Sequence, residues 1–302
     1  MDEAPPPPER SDAEPFPVAP VGEPQPTWPP WFAFVGFAAA FICAGIALLL
    51  ILAIAGVESG DTDTPAATVA ATLIQGIFFV GVALVLARSV AAPRAWHFGL
   101  RRSPLWRTIG WAALGMLAFY VLAAAYAAIV DPQAEQEVTE KLGADEGTLG
   151  LIAAGTMVIV VAPFVEELFF RGFFYRALRS RYSIAVAALA DGVIFGVIHF
   201  GFDGADGLLI LPPLALLGVI FCLVYERTKS LWAVIAMHAF NNTIAFAATT
   251  EEYDGWQVSV VAGPLMLAAC AVLPRLLPDG PSPLPPVRAR VGPEAQLSLP
   301  IQ

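Results

Sequence analysis

The sequence predicts an all-α protein, a polytopic transmembrane bundle of about eight helices with both termini in the cytoplasm. Three observations predict it. Of the 302 residues, 57% are hydrophobic and 14% charged, a balance that leaves a water-soluble domain too little polar surface to cover itself. Eight apolar stretches approach the roughly 20 residues needed to cross about 30 Å of hydrocarbon. Lys and Arg gather in alternate loops, the distribution that keeps those loops cytoplasmic.

Residues 1–30, MDEAPPPPERSDAEPFPVAPVGEPQPTWPP, are Pro-rich and acidic, lack the basic start of a cleavable signal and cannot build a core, which predicts a disordered cytoplasmic tail. The first four spans run from about Trp31 to Val57, Thr68 to Ala87, Trp106 to Val130 and Leu149 to Phe170. Four more run from about Ile184 to Phe200, Leu208 to Tyr225, Leu231 to Ala248 and Val258 to Leu273. The fifth and sixth are short and flank the polar loop GFDGADG. Residues 31–276 thus form the helical domain, with its motif-bearing core at 150–248, and 277–302 a second Pro-rich tail.

Formal net charge is −10 with 16 Lys and Arg, and no basic tract suggests a nucleic-acid partner. Fifteen of the 16, among them Arg10, Arg94, Arg101, Arg171, Arg176, Arg179, Arg227 and Arg275, fall on one side of the predicted spans, and only Lys141 on the other. The alternate loops are acidic, at Glu58 to Asp63, Asp131 to Glu146, Asp203 to Asp206 and Glu251 to Asp254. Trp31, Trp106, Trp232 and Trp256 stand at span ends, where amphipathic rings anchor at the interface. Cys43, Cys222 and Cys270 lie inside apolar runs and read as core residues rather than disulfide or thiolate sites. No internal repeat supports an inverted-repeat transporter. The expectation is a multi-pass integral membrane protein of a bacterial-type plasma membrane.

Ionisable groups inside spans cost about 2.5–3.5 kcal/mol each on insertion scales, so they mark function by default. They are Glu166, Glu167, Asp191, His199 and His238, with the amide Asn242 and the boundary residue Arg171. In VAPFVEELFFRG, Pro163 loosens the helix one turn before Glu166, and Glu167 and Arg171 share a face at i, i+4. Glu166 points about 100° away. Phe195 and His199, and His238 and Asn242, are also i, i+4 pairs. The midpoint of Glu166 and His199 falls at the polar residues Arg181 to Ser183, so two antiparallel helices joined there would bring the two side chains to one height. Asp191 reads either as a partner of this site or as a protonated packing residue. His97 sits in a basic loop and reads as interfacial.

A carboxylate, two imidazoles and an amide in a low-dielectric pocket suit acyl transfer to water, and peptide-bond hydrolysis fits. No Ser or Cys accompanies the histidines in a nucleophile motif. The constellation Glu166-Glu167-x-x-x-Arg171, Phe195-x-x-x-His199 and His238-x-x-x-Asn242, in order across about Gly150 to Ala248, resembles the type II CAAX prenyl endopeptidases, the CPBP or Abi intramembrane proteases. The resemblance implies Glu166 as the base activating water, His199 assisting it, His238 and Asn242 stabilising the oxyanion, and Glu167 and Arg171 orienting the site with Phe195 in support. It also implies a membrane-embedded or lipid-anchored protein or peptide as substrate. The reading is metal-free; a zinc, the alternative for this family, would take Glu166, His199 and His238, although no H-E-x-x-H helix favours it. Two other readings are a non-enzymatic immunity or interaction protein of the same fold, which would still bind its partner without Glu166, and a proton-coupled transporter.

Overall fold

The computed structural model describes residues 26–56, 64–130, 138–200, 206–277, 280–282 and 284. Expectations that fall on the chain before residue 26, on the acidic residues Glu58, Asp61, Asp63, Asp131 and Asp203, and on most of the C-terminal tail lie outside these residues. Eight principal helices are α1 (Trp31–Ala55), α2 (Pro65–Arg88), α3 (Leu105–Val130), α4 (Gly147–Arg179), α5 (Ile184–Val197), α6 (Leu211–Thr228), α7 (Leu231–Thr249) and α8 (Trp256–Val272). Seven, with α6 counted together with the turn leading into it, are long and apolar enough to cross a membrane. The exception is α5, whose 14 residues reach about 21 Å.

Their ends follow from local chemistry. Thr64 caps α2 by accepting from the Ala67 N–H at 3.3 Å, with Pro65 at the first helical position, where a missing N–H costs nothing. Ser183 does the same for α5 through the Val186 N–H. Lys229 closes α6 in the left-handed region at φ 57°, which lets α7 begin two residues later.

Helix α4 continues to Arg179, past the predicted end at Phe170, and its 33 residues span about 50 Å. Arginines that the sequence assigns to a boundary or loop are buried within it: Arg171, Arg176 and Arg179 are 0%, 4% and 7% exposed. Each has partners far away in sequence. Arg176 donates to the carbonyls of Pro26 and His97 and lies 4.0 Å over the Trp28 ring. Arg179 pairs with Glu226, which also accepts from Tyr175 at 2.9 Å and Lys229 at 2.5 Å.

The packing departs from four further expectations. The N-terminal tail ends earlier than residue 30, because Trp28 is buried between Phe98 and Phe173, and Leu284 of the second tail is buried as well. His97 is buried rather than interfacial, its ring accepting from the Arg94 N–H at 3.2 Å. Trp232 is also buried, near Phe164, whereas Trp31, Trp106 and Trp256 are exposed.

Lipid tails are as apolar as the side chains they surround, so helices associate here through close packing and polar contacts. Fully buried Phe169, Phe170, Phe173 and Phe174 form an aromatic ridge on α4, with Phe79 of α2 stacked on Phe169 at 4.5 Å and Phe195 of α5 edge-on to Phe170 at 5.3 Å. Helices α5 and α6 meet backbone to backbone: a Cβ at Gly192 would stand 2.6 Å from the Ala215 carbonyl oxygen, and one at Gly218 would stand 2.8 Å from Gly192 Cα. That approach carries Asp191 and the Gly218 carbonyl to Arg171.

Candidate active site within the bundle

Two π-helical turns, Met157–Val161 and Phe170–Tyr175, bracket the α-helical segment Ala162–Phe169 that carries both glutamates. Such turns add a residue to a helical cycle and recur at functional sites. The first has a visible origin. The Ala162 N–H bonds to Met157 O in π register, and the next bond of that series would run from residue 163 to Val158 O, but Pro163 has no N–H. Asn242 Nδ2 of α7 supplies the missing donor to Val158 O at 2.9 Å.

Glu167 lies on the inner face of α4 and is fully buried. Its Oε1 accepts from Arg171 Nη1 at 2.8 Å and lies 2.9 Å from His238 Nδ1. Arg171 Nη2 donates to the Gly218 carbonyl at 3.0 Å, and its Nε stands at ion-pair distance, 3.4 Å, from Asp191 Oδ1. Asp191 accepts from the Cys222 thiol at 3.2 Å. The guanidinium lies 4.4 Å over the Phe195 ring and 5.1 Å over Phe221. Burying a charge is tolerated when it is paired and hydrogen-bonded, and Arg171 has a carboxylate on each side. Of the two readings open for Asp191, the structure takes the first: it is a partner.

Glu166, about 100° around α4, faces elsewhere and is partly open, at 19% exposure. Its Oε2 is 3.9 Å from His199 Nε2 and has no hydrogen-bond partner among the described residues. His199 Nδ1 lies 2.7 Å from the Phe195 carbonyl oxygen. A carbonyl only accepts, so Nδ1 carries the hydrogen, and in the neutral ring Nε2 presents its lone pair toward Glu166. Phe195 is the wall between the two glutamates' surroundings: its ring packs against both His199, at 4.9 Å, and His238, at 5.8 Å.

Asn242 stands in a relay. Tyr120 donates to Asn241 at 3.3 Å, and Asn241 donates to Asn242 Oδ1 at 3.4 Å. With its oxygen accepting and one Nδ2 hydrogen given to Val158, Asn242 keeps a second amide hydrogen. Of the seven residues named from the sequence, Glu166, Glu167 and Arg171 lie on α4, Phe195 on α5, His199 in the turn two residues past the end of α5, and His238 and Asn242 on α7. His238 is the one whose placement differs from expectation, since its Nδ1 serves Glu167. Donation toward a substrate would require a proton on Nε2 as well. The zinc set left open by the sequence does not fit: among the described residues no three His, Cys, Asp or Glu side chains are grouped so as to hold a metal ion. Sequence reading missed the contributions of Cys222 and the Gly218 and Val158 carbonyls; only the missing N–H of Pro163 signalled one of them.

The fold and the site define a polytopic helical membrane protein with a polar centre enclosed in its bundle. Residues 148–244 match the family described as type II CAAX prenyl endopeptidase Rce1-like, a segment that contains every one of the seven residues. The matching segment is 97 of the 302 residues, and over it the chain is similar to that family. It is 30% identical over 132 residues to the Bacillus subtilis (strain 168) protein named "Putative membrane peptidase YdiL", an alignment covering 40% of this chain and 52% of that one. The chain therefore spans about half the length of that relative. No solved structure matches it.

Proposed function

We propose that the protein is an intramembrane endopeptidase that hydrolyses peptide bonds of membrane-associated proteins or peptides, with Glu166 as the base. The observation that carries this reading is the Glu166–His199 pair. A 3.9 Å gap between a carboxylate oxygen and an imidazole nitrogen is too long for a direct hydrogen bond and is a separation one water can bridge; Glu166 Oε2 is itself shielded here, so the water enters as the two side chains part. Both atoms accept, so the water donates both hydrogens to them and turns its lone pairs outward, toward the carbonyl carbon it attacks. Glu166 takes a proton as the C–O bond forms and returns it to the departing amine as the C–N bond breaks.

The oxyanion formed in between needs donors in a dry site. Asn242 offers its second amide hydrogen. His238 offers Nε2–H when both of its ring nitrogens carry hydrogen. By the charge distribution of the loops, the site lies in the cytoplasmic half of the bilayer.

The test is cleavage of a membrane-tethered reporter by the full chain in proteoliposomes. Glu166→Gln should abolish cleavage while leaving the thermal unfolding of the protein unchanged. Retained cleavage sinks the assignment.

A further inference from the structure

A concavity of about 680 Å³ opens between α3, α7 and α8, and neither Glu166 nor either site histidine lines it. Its deeper walls are apolar: Ile109 and Met116 of α3, Ala236, Met237 and Phe240 of α7, and Leu267 of α8. From Ser230 at its mouth to Phe240 is ten residues of α7, about 15 Å of helix, or half of the roughly 30 Å hydrocarbon core. The crevice is as deep as one leaflet.

Polarity changes along it in a definite order. At the mouth stand two exposed cations, Arg102 and Arg275. Arg102 donates through Nε and Nη2 to the carbonyls of Pro274 and Arg275, at 3.2 and 2.5 Å, and Arg275 through Nη1 to the carbonyl of Ala271. Carbonyls do not neutralise them, and neither pairs with a carboxylate among the described residues. A guanidinium has five N–H groups, so most remain for an anion. Exposed Trp106 beside the mouth marks headgroup depth. Just below lies Trp232, which lines the crevice and is 7% exposed, with an indole N–H that has no acceptor among the described residues. Below Trp232 only apolar groups follow.

Cations at the mouth, then a leaflet-deep apolar slot, is the order of phosphate and acyl chain in a glycerophospholipid. We infer that the α3–α7–α8 crevice is a binding site for one anionic phospholipid, with its phosphate at Arg102 and Arg275 and an acyl chain along α7. The bound lipid braces the helix that carries His238 and Asn242. The inference rests on the membrane location and not on the peptidase reading.

Native mass spectrometry of the full chain from nanodiscs of phosphatidylglycerol or phosphatidylcholine with identical chains tests it. One phosphatidylglycerol should remain per protein, in preference to phosphatidylcholine. Arg102→Gln and Arg275→Gln should each lower phosphatidylglycerol retention about fivefold, the worth of one interfacial cation, while Arg102→Lys and Arg275→Lys keep most of it. Ala236→Phe, which fills the slot without touching the cations, should remove both lipids from a protein that melts as wild type does. Equal retention of the two lipids, or unchanged retention in Ala236→Phe, overturns the proposal. So does displacement of the lipid by millimolar inorganic phosphate, which would make this an anion site only. None of these readouts involves cleavage, so their failure leaves the peptidase reading untouched.

Discussion

Glu166 and Glu167 are adjacent in the chain and occupy different media. Glu167 is sealed among Arg171, His238 and, through Arg171, Asp191. Glu166 is partly open and looks across 3.9 Å at His199. One step of about 100° around a helix turns the same side chain from the keystone of a closed charge cluster into an oxygen without a protein donor. The contrast teaches that intramembrane acids do not share one meaning: a carboxylate tied through one oxygen to a buried guanidinium and an imidazole holds the fold, and a carboxylate that faces only an imidazole across a gap is available for chemistry.

The sharpest way to break this comparison is to neutralise each acid alone. Glu166→Gln should lower the cleavage rate by about 10²–10⁴-fold, the usual contribution of a general base, with no change in unfolding temperature. Glu167→Ala should do the opposite first: it strips Arg171 of its hydrogen-bonded carboxylate inside the bundle, and breaking a buried pair by removing one partner costs about 3–5 kcal/mol, measurable by denaturant unfolding in mild detergent. Wild-type stability in Glu167→Ala together with an unstable Glu166→Gln protein would reverse the two roles.

Asn242 tests whether the two environments cooperate. It shares α7 with His238 and completes the carbonyl that Pro163 leaves without a donor. Asn242→Leu should cost about 10²–10³-fold in turnover if its second amide hydrogen serves the oxyanion, and about 1–3 kcal/mol in stability for the orphaned Val158 carbonyl. A stability loss without a rate loss would confine Asn242 to the π turn.

What the sequence disclosed and what it hid divide along physical lines. The i, i+4 motifs were legible because helical geometry alone sets which side chains share a face, and the meeting of Glu166 and His199 followed from their equal distance to the turn at Arg181 to Ser183. The length of α4 was not legible. A hydropathy reading counts Arg171, Arg176 and Arg179 as unpaired charges, whereas their partners Asp191, Pro26 and Glu226 come from remote segments. Trp232 misled for a related reason: its position at a span end suggests an anchor, but which way it faces depends on how α7 is rotated against its neighbours, and that is a tertiary property. Cys222 gave no sign at all, because its role depends on the approach of α5 to α6 across Gly192 and Gly218.

Cys222 therefore supplies the finest test of the boundary between the two environments. It is fully buried on the Glu167 side of Phe195, and its thiol donates to Asp191 at 3.2 Å. If its part is only that weak donor, Cys222→Ala should lower stability by about 0.5–1.5 kcal/mol and leave cleavage within a factor of two or so, because Asp191 keeps Arg171 as its partner. Cys222→Ser, with a stronger O–H donor of similar shape, should recover the lost stability. Abolished cleavage in both variants, with folding intact, would mean that the sealed side of Phe195 takes part in the chemistry and that the two glutamates are not separated as their surroundings indicate.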